Sequence, residues 1–444
     1  MIENVEQLLE EKRYREAKQE LNQLNSSDIA EILEDIDSAE VIKIFKLMNK
    51  DKAADVFAYL PVDQESEIIS LLSDKEAVYL LDEMHADDAA DLIEEMPANV
   101  VRRLLQKCTK ETRTDLNKLL NYPENSAGSI MTVEYAELKE NLTIKQAIDI
   151  LKKEIEDYET INTCYVVDVT RKLIGYIHLK HIICAEEDEL VSDIVQKDVI
   201  SCKTTEDQEE IARMFQKYDL TAMPVVDSEN RLVGIITIDD IVDVLQEENT
   251  EDIEKMAAIT PTHKSYLKVG IFETWKARIP WLLLLMVSAT FTGKIIQSFE
   301  GALATCAILT AFIPMIMDTG GNAGGQASVT IIRGLSLCDI EFSDILRIIW
   351  KEIRVAILCG ITLAAANFLK LLFIDRVTMS VAIVVNLTLI CTICIAKLIG
   401  STLPLLAKKV GFDPAVMASP FITTLVDACS LLIYFQIATH LLNI

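Results

Sequence analysis

Residues 313–334 read IPMIMDTGGNAGGQASVTIIRG, and this stretch decides what kind of fold the chain can adopt. It continues an apolar run typical of a membrane helix, then introduces Asp318, four glycines within six residues, Asn322 and Gln326. Lipid offers no hydrogen-bond partner to polar side chains or to irregular backbone. We therefore expect the stretch to pack closely against another helix or to line an aqueous path.

Apolar segments from residue 279 onward predict a five-helix α transmembrane domain. The predicted spans are 280–298, 302–320, 354–374, 380–400 and 415–441, each close to the roughly 20 residues that cross a bilayer. Basic residues precede span one and follow spans two and four: Lys276, Arg278, Arg333, Arg347, Lys351, Arg354, Lys408 and Lys409. Because basic loops stay inside, we expect a cell (plasma or inner) membrane protein with a cytoplasmic N-terminus and an extracytoplasmic C-terminus.

Charge divides the chain in the same place as hydropathy. Residues 1–260 carry 28 Lys and Arg against 59 Asp and Glu, a balance of −31, whereas residues 261–444 carry 14 against 10, a balance of +4. A field this negative repels phosphates, which argues against a nucleic-acid partner. It is suited to a cationic partner.

Residues 1–125 contain a repeated helical pattern that is rich in acidic residues. The copies DIAEILEDI, KAADVFAYL, EAVYLLDEM and DAADLIEEM begin at residues 28, 52, 76 and 88, and apolar residues recur in each at helical spacing. Short helices stacked in this way predict a solenoid-like α-helical N domain. Such a domain indicates a binding surface rather than an enzyme.

Residues 126–248 contain a second repeat, of α/β character. YVVDVTRKLIGYIHLKHII (165–183) and PVVDSENRLVGIITIDDIV (224–242) align at a constant shift of 59 residues, each with two strand patterns followed by a helix. The segment resembles a tandem pair of CBS domains, at 126–185 and 186–248. Residues 249–278 then form a linker predicted to contain a connecting helix, broken near Pro261, that leads to the transmembrane domain at 279–444.

Asp427 is the residue in the apolar part that most needs an explanation. It falls near the middle of span five, where a charged carboxylate costs roughly 2.5–3.5 kcal/mol. The alternative to a functional role is a protonated, hydrogen-bonded side chain. One carboxylate binds a cation poorly, whereas two related by a dimer axis bind it well. Asp318, at the end of span two, is either a helix-terminal residue or a second pore residue.

The donor set around the glycine stretch is typical of a hard cation. Asn322 and Gln326 share a face if the stretch is helical, and glycines such as Gly321 either let helices pack closely or let backbone carbonyl groups face an aqueous path. Neutral oxygen donors with few carboxylates suit an ion that keeps its waters. The five histidines form no HExxH motif, which argues against a membrane metalloprotease, and no nucleophile, base and orienting group occur together.

The whole arrangement resembles the MgtE family of magnesium transporters. The resemblance rests on the order of the acidic helical, CBS, connecting and membrane segments, and on PMIMDTGGNAGGQ (314–326), GFDPA (411–415) and PFITTLVD (420–427). It implies a homodimeric, channel-like Mg²⁺ transporter whose pore lies at the dimer interface, lined by spans two and five. Asp427 then corresponds to the pore aspartate, and Asp413 to a residue of the closed gate, although Asp413 is also typical of a turn before Pro414.

The resemblance further implies that cytoplasmic Mg²⁺ regulates the pore through acidic residues of the N and CBS domains. The regulatory candidates are Asp87, Asp91, Asp207, Glu209, Asp219, Asp240, Asp243, Glu248, Glu251 and Asp252. For each of them, a solvated surface carboxylate is the alternative. The CBS pair is also a candidate ATP site, although the sequence has no phosphate-binding loop.

A second class of function is compatible with the same segments. In this alternative, the chain is a membrane sensor whose CBS pair binds an adenine nucleotide and whose spans only anchor it and transmit the signal. The polar residues within the membrane, Asp427 above all, favour transport over this alternative.

Overall fold

A computed structural model shows that the chain folds as two compact units, residues 1–246 and 247–444. We call them the acidic unit and the membrane unit. The structure describes residues 8, 11, 13–34, 36, 38–46, 48–155, 158–262, 266, 269–417 and 419–443.

The acidic unit begins with short helices whose apolar faces form one core. The helices are α1 (Tyr14–Leu21), α2 (Ser26–Glu34), α3 (Ser38–Phe45), α4 (Lys50–Ala58), α5 (Val62–Leu71), α6 (Asp74–Glu83), α7 (Ala86–Glu94), α8 (Ala98–Leu105) and α9 (Lys110–Leu119). From α2 onward, each helix packs against the helix after next. Leu33, Phe57 and Leu92 are fully buried, so the predicted repeat corresponds to real helices that bury the same face.

Two three-stranded sheets follow, and they account for the 59-residue repeat. The first contains β1 (Tyr135–Lys139), β2 (Thr160–Val167) and β3 (Leu173–His178); the second contains β4 (Cys202–Lys203), β5 (Ala222–Val226) and β6 (Leu232–Thr237). In each sheet the first pair of strands is parallel and the second antiparallel. The intervening helices are α10 (Ile144–Lys153), α11 (Leu179–Cys184), α12 (Val191–Ile194) and α13 (Gln208–Tyr218).

The two sheets exchange equivalent backbone hydrogen bonds. The N–H of Leu173 donates to the carbonyl of Asn230, and the N–H of Leu232 donates to the carbonyl of Arg171, each over 3.0 Å. These pairs are related by the same shift as the sequence repeat. The predicted duplication is therefore a pair of like domains related by an approximate two-fold axis.

Helix α14 (Ile238–Met256) differs from the predicted linker. It continues from the second sheet without a break, so the boundary predicted at residue 248 lies inside one helix. The next helix begins only at Ile271, and Lys276 and Arg278 lie within its first turns rather than before it. Residues 247–254 include neither glycine nor proline, so the helix continues through this acidic segment.

The membrane unit is built from long helices. They are α15 (Ile271–Ser298), α16 (Glu300–Thr305), α17 (Ile313–Ser336), α18 (Ile345–Phe373), α19 (Met379–Val410) and α20 (Ser419–Leu442), with 3₁₀ turns at Ala307–Phe312, Phe342–Asp344 and Pro414–Met417. Within the described residues, four segments are long and apolar enough to cross a membrane: Ile271–Ser298, Phe342–Phe373, Met379–Val410 and Pro414–Leu442.

The glycine stretch lies inside a helix rather than at its end, so the bounds predicted for span two are wrong. The chain turns at Cys306, passes through the 3₁₀ segment and starts α17 at Ile313, with Pro314 in its first turn. Helix α17 then continues through all four glycines to Ser336. Its glycine and polar residues lower its hydropathy, but its 24 residues are about 36 Å long, which exceeds a hydrocarbon core of about 30 Å.

Candidate functional site

The glycines of α17 are contact points with the neighbouring helices α19 and α20. A Cβ built on Gly320 would lie 2.7 Å from Thr392 and 2.9 Å from Val426, and one on Gly324 would lie 2.9 Å from Ile422. On α19, a Cβ on Gly400 would lie only 2.2 Å from the carbonyl oxygen of Gly324. Hydrogen atoms at these positions let three helices approach more closely than any side chain would permit.

The polar residues of α17 lie on a different face from its glycines. Asp318, Asn322 and Gln326 are four residues apart and exposed, which confirms that the amides share one helical face. Gly321 is buried, and a Cβ there would lie 2.9 Å from Thr423. Gly321 therefore packs against α20, which is the first of the two roles expected for the glycines, while its assignment to the pore lining stays a prediction.

Asp427 lies on α20 next to this interface. Its neighbour Val426 is fully buried against the glycine face, whereas Asp427 itself is half-buried. Within the described residues its Oδ1 is buried and accepts no hydrogen bond. Asp318 is close enough to interact with it electrostatically. The structure thus brings together two carboxylates that the sequence presents more than a hundred residues apart, and they form a candidate cation site.

Asp413 lies outside the apolar spans and has two roles in the membrane unit. Its Oδ1 accepts a hydrogen bond from the N–H of Ala415 (2.8 Å), which fixes the turn before the 3₁₀ segment. Its Oδ2 accepts from Lys255 of α14 (2.7 Å). Lys255 also pairs with Glu251 at 2.5 Å. Burial lowers the pKa of Lys255, but the hydrogen bonds to Asp413 and Glu251 outweigh it and raise the pKa above its ordinary value.

The sequence did not single out Lys255. It occupies the space between two carboxylates that were both predicted to bind regulatory Mg²⁺, so a cation already joins α14 to Asp413. The other two candidates on this helix, Glu248 and Asp252, lie in its second half, within one turn of Glu251.

The acidic unit contains a crowded cluster of carboxylates formed by Asp87 and Asp88 of α7 and Asp239 and Asp240 of α14. Asp87 is 7% exposed and its Oδ1 has no hydrogen-bond partner in the described part of the chain. Burial and the Asp240 carboxylate raise its pKa well above the ordinary value. We call these four residues the aspartate cluster.

The pKa values of two other members of the aspartate cluster, Asp240 and Asp88, are raised as well. Burial raises the pKa of Asp240 to about 7, despite a hydrogen bond donated by the Thr237 hydroxyl over 2.7 Å. Burial and neighbouring carboxylates raise the pKa of Asp88 to about 6, although His85 opposes this change. Concentrated negative charge of this kind is relieved by a proton or by a bound cation.

The remaining regulatory candidates are more dispersed. Asp91 and Asp243 are exposed positions on α7 and α14, and burial together with Asp239 raises the pKa of Asp243. Asp207 caps α13 by accepting from the N–H of Glu209 (2.9 Å), Glu209 pairs with Arg213, and Asp219 ends the helix in the left-handed region. These last three carboxylates have local structural roles that sequence reasoning did not assign.

The sequence analysis did not identify two further groups of charged residues. In the acidic unit, His85 pairs with Glu134 and with Glu159, and these two carboxylates raise its pKa to about 11. In the membrane unit, the buried Lys397 of α19 lies 3.7 Å from Glu352 of α18. Neither set has a spacing that a sequence pattern would reveal.

Taken together, the fold defines a membrane protein whose apolar helices follow an acidic helical domain and a CBS pair, with carboxylates at a glycine-mediated helix contact. Residues 313–437 match the MgtE family described as a divalent cation transporter, residues 5–125 match the MgtE intracellular N domain, and residues 127–188 and 191–247 match the CBS domain. The chain belongs to the MgtE family.

Individual relatives agree with this assignment. The magnesium transporter MgtE of Thermus thermophilus is 37% identical over 77% of this chain and 76% of its own length, and that of Enterococcus faecalis is 36% identical over 74% and 72%. A solved cytosolic domain of the Mg²⁺ channel MgtE in complex with ATP is 32% identical and has a TM-score of 0.52. It aligns with 55% of this chain over 100% of its own length.

Proposed function

We propose that this protein is a channel-like magnesium transporter that imports Mg²⁺ across the cell membrane and is inhibited by cytoplasmic Mg²⁺. The observation that carries the proposal is the pair of carboxylates, Asp318 and Asp427, beside the glycine contact of α17 and α20. The named function of relatives that align with about three quarters of the chain supports Mg²⁺ as the transported ion.

The proposed pore uses the polar face of α17 and the carboxylate of α20. Mg²⁺ dehydrates reluctantly and binds through few carboxylates and several waters. Asp427 would hold the hydrated ion, while Asp318, Asn322 and Gln326 would contact its waters. All three are exposed on one face in the single chain, which suits a homodimer that places this face opposite its symmetry mate. Two Asp427 carboxylates would then balance one divalent ion.

The proposed topology has five spans, with α17 as the second. Its length supports a span, and its polar face would be shielded from lipid by the dimer and the pore. The positive-inside rule supports a cytoplasmic N-terminus and an extracytoplasmic C-terminus. We divide the chain into an acidic N domain (1–125), two CBS domains (126–185 and 186–248), a connecting segment (249–278) and a transmembrane domain (279–444). The packing of each N-domain helix against the helix after next supports a solenoid-like arrangement.

The proposed sensor is the aspartate cluster, with Asp91 and Asp243 at its periphery. Asp87 comes from the N domain and Asp240 from the second CBS domain, so a cation bound there would hold the two domains together. When cytoplasmic Mg²⁺ falls, repulsion between the carboxylates would separate them. A ligand shifts this equilibrium only by its differential affinity for the joined state. Asp413, Glu248, Glu251 and Asp252 would act at the gate, where Lys255 joins α14 to Asp413.

ATP is a further proposed ligand of the CBS pair. The related solved cytosolic domain contains it, and Tyr165 of β2 has a fully buried hydroxyl group without a partner in the described part of this chain. We assign ATP a regulatory role only.

Mg²⁺ flux into proteoliposomes tests the proposal. The purified chain should carry Mg²⁺ down its gradient, whereas empty liposomes should not. Correctly folded protein, shown by a cooperative thermal transition, that carries no Mg²⁺ would overturn the transport function. It would favour the alternative of a membrane sensor that responds to an adenine nucleotide.

A further inference from the structure

His85, Glu134 and Glu159 form a compact group in the acidic unit that the proposed Mg²⁺ cycle does not use. His85 Nδ1 lies 2.8 Å from Glu159 Oε2 and is hydrogen-bonded to Glu134 Oε2. One ligand atom from each of the three residues lies within 4.8 Å of the other two. We call this group the histidine–glutamate cluster.

The backbone places the two carboxylates side by side. Glu134 and Glu159 immediately precede the parallel strands β1 and β2, which pair in register at Tyr135 and Thr160. The N–H of Glu159 donates to the carbonyl of Glu134 over 2.8 Å, so the register extends to the two glutamates themselves. Their separation is thus set by the sheet and does not depend on side-chain rotamers alone.

Helix α7 supplies the imidazole from the helical domain. His85 occupies the N-cap position, with extended backbone angles, and so its side chain starts from a fixed point at the helix end. The cluster therefore connects α7 to the first residues of two strands in the first CBS domain. An ion bound by all three side chains would join these domains at a point separate from Asp240.

A buried carboxylate near the cluster indicates that a cation belongs there. Asp87, two residues after His85, is 7% exposed and has an oxygen without a partner in the described part of the chain, and Glu159 is one of the charges that interact with it. The positive charge of the single imidazolium faces Glu134, Glu159 and, at longer range, Asp88.

The donor types decide which cation fits. Mg²⁺ prefers an octahedron of oxygens, whereas one imidazole nitrogen with two carboxylate oxygens suits Zn²⁺ and similar ions. In a tetrahedral site with bonds of about 2.1 Å, the ligand atoms lie about 3.4 Å apart. The 2.8 Å between His85 Nδ1 and Glu159 Oε2 is shorter than this value, and the half-exposed His85 side chain can move outward to admit the ion.

We propose that His85, Glu134 and Glu159 form a binding site for a borderline divalent transition-metal ion, Zn²⁺ being the best match, that joins the helical domain to the first CBS domain. The three side chains supply one nitrogen and two oxygens, and water completes the tetrahedron. The site is distinct in donor chemistry from the proposed Mg²⁺ sites, and its existence does not depend on the transport function.

Zn²⁺ binding to the purified full-length chain tests the site, with a chromophoric chelator as competitor. The measurement is made in saturating Mg²⁺, which fills the sites for hard cations and leaves the transition-metal site for Zn²⁺. His85→Gln and Glu159→Gln should each weaken the tightest Zn²⁺ binding by at least tenfold. His178 and His181, whose rings lie 5.9 Å apart, form the rival pair, so His178→Gln/His181→Gln is the matched control and should leave this binding unchanged.

Two more readouts identify the ligands of the bound ion and locate it in the fold. X-ray absorption of bound Zn²⁺ should show imidazole scattering in the wild type that disappears in His85→Gln, and Zn²⁺ should slow proteolysis between α7 and β1 only when the cluster is intact. A thermal transition near that of the wild type shows that the variants fold. Zn²⁺ binding that is absent, unaffected by His85→Gln, or lost in the His178/His181 control instead would overturn the proposal.

Discussion

The acidic unit gathers Asp87, Asp88 and Asp240 in one crowded cluster, whereas the membrane unit holds Asp318 and Asp427 beside glycine and threonine at a helix contact. The first region concentrates like charges that repel each other, so its arrangement depends on the cations available. The second holds few charges, with neutral donors nearby, so it can bind a hydrated ion without retaining it. The same side chain thus suits sensing in one unit and conduction in the other.

The largest effect is expected at Asp427. Asp427→Asn keeps the shape and removes the charge, so we expect Mg²⁺ flux in proteoliposomes to fall by about tenfold or more, equivalent to at least about 1.4 kcal/mol of lost ion stabilisation. Asp375→Asn is the matched control, because Asp375 lies beyond α18 and pairs with Lys370 at 3.2 Å. Equal flux in Asp427→Asn and the wild type would remove Asp427 from the pore.

A larger side chain at the glycine contact should lower the thermal stability of the protein. Gly400→Ala forces a methyl group against the Gly324 carbonyl oxygen, and overpacking of this kind costs about 1–3 kcal/mol. Gly293→Ala on α15 is the control, since nothing lies within 4 Å of the new methyl group. Thermal unfolding in detergent should show a lower midpoint for Gly400→Ala alone. Equal midpoints would mean that α17 and α19 do not approach this closely.

The aspartate cluster should lose its dependence on cations when it is partly neutralised. Asp87→Asn resembles the protonated carboxyl group and removes repulsion with Asp240, so the joined state should form without Mg²⁺. We expect resistance to limited proteolysis at low Mg²⁺ to rise several-fold, towards that of Mg²⁺-saturated wild type. Glu111→Gln, on α9, serves as the control. If Asp87→Asn still requires as much Mg²⁺ as the wild type, the cluster is not the sensor.

A pH-dependent effect concerns Glu65 of α5, which is 3% exposed. Burial and the charges of Asp88 and Asp91 raise its pKa to about 9, from an ordinary value of 4.5. The folded chain therefore keeps a proton that the unfolded chain releases between these values. Its contribution to the free energy of unfolding decreases as pH rises from about 4.5 to 9, by about 1.4 kcal/mol per unit at most.

Glu65→Gln should flatten this pH dependence. Thermal midpoints measured with EDTA at pH 6 and pH 8 should differ less in the variant than in the wild type, and the variant should be the more stable at pH 8. Identical pH dependence in the two proteins would show that Glu65 is charged in the folded state.

Local pattern predicted much of this structure, and tertiary contacts account for what it missed. The four-residue spacing of Asn322 and Gln326 correctly predicted that the two amides share one helical face, because helical periodicity is a local property. Periodicity does not reveal which face packs, so the sequence left open whether the glycines form a helix contact or line the ion path. The Lys255–Asp413 pair spans 158 residues and the His85–Glu134 pair 49, and no single-sequence pattern relates such positions.

Mg²⁺ current in inside-out membrane patches tests the central claim most directly, since Mg²⁺ in the pipette stays constant while Mg²⁺ on the cytoplasmic face is varied. We predict an inward Mg²⁺ current that falls as cytoplasmic Mg²⁺ rises, by more than the reduced gradient explains. In Asp87→Asn the current should be low even without cytoplasmic Mg²⁺. A wild-type current that followed the gradient alone would contradict gating by the acidic unit, and the absence of any Mg²⁺ current would contradict transport itself.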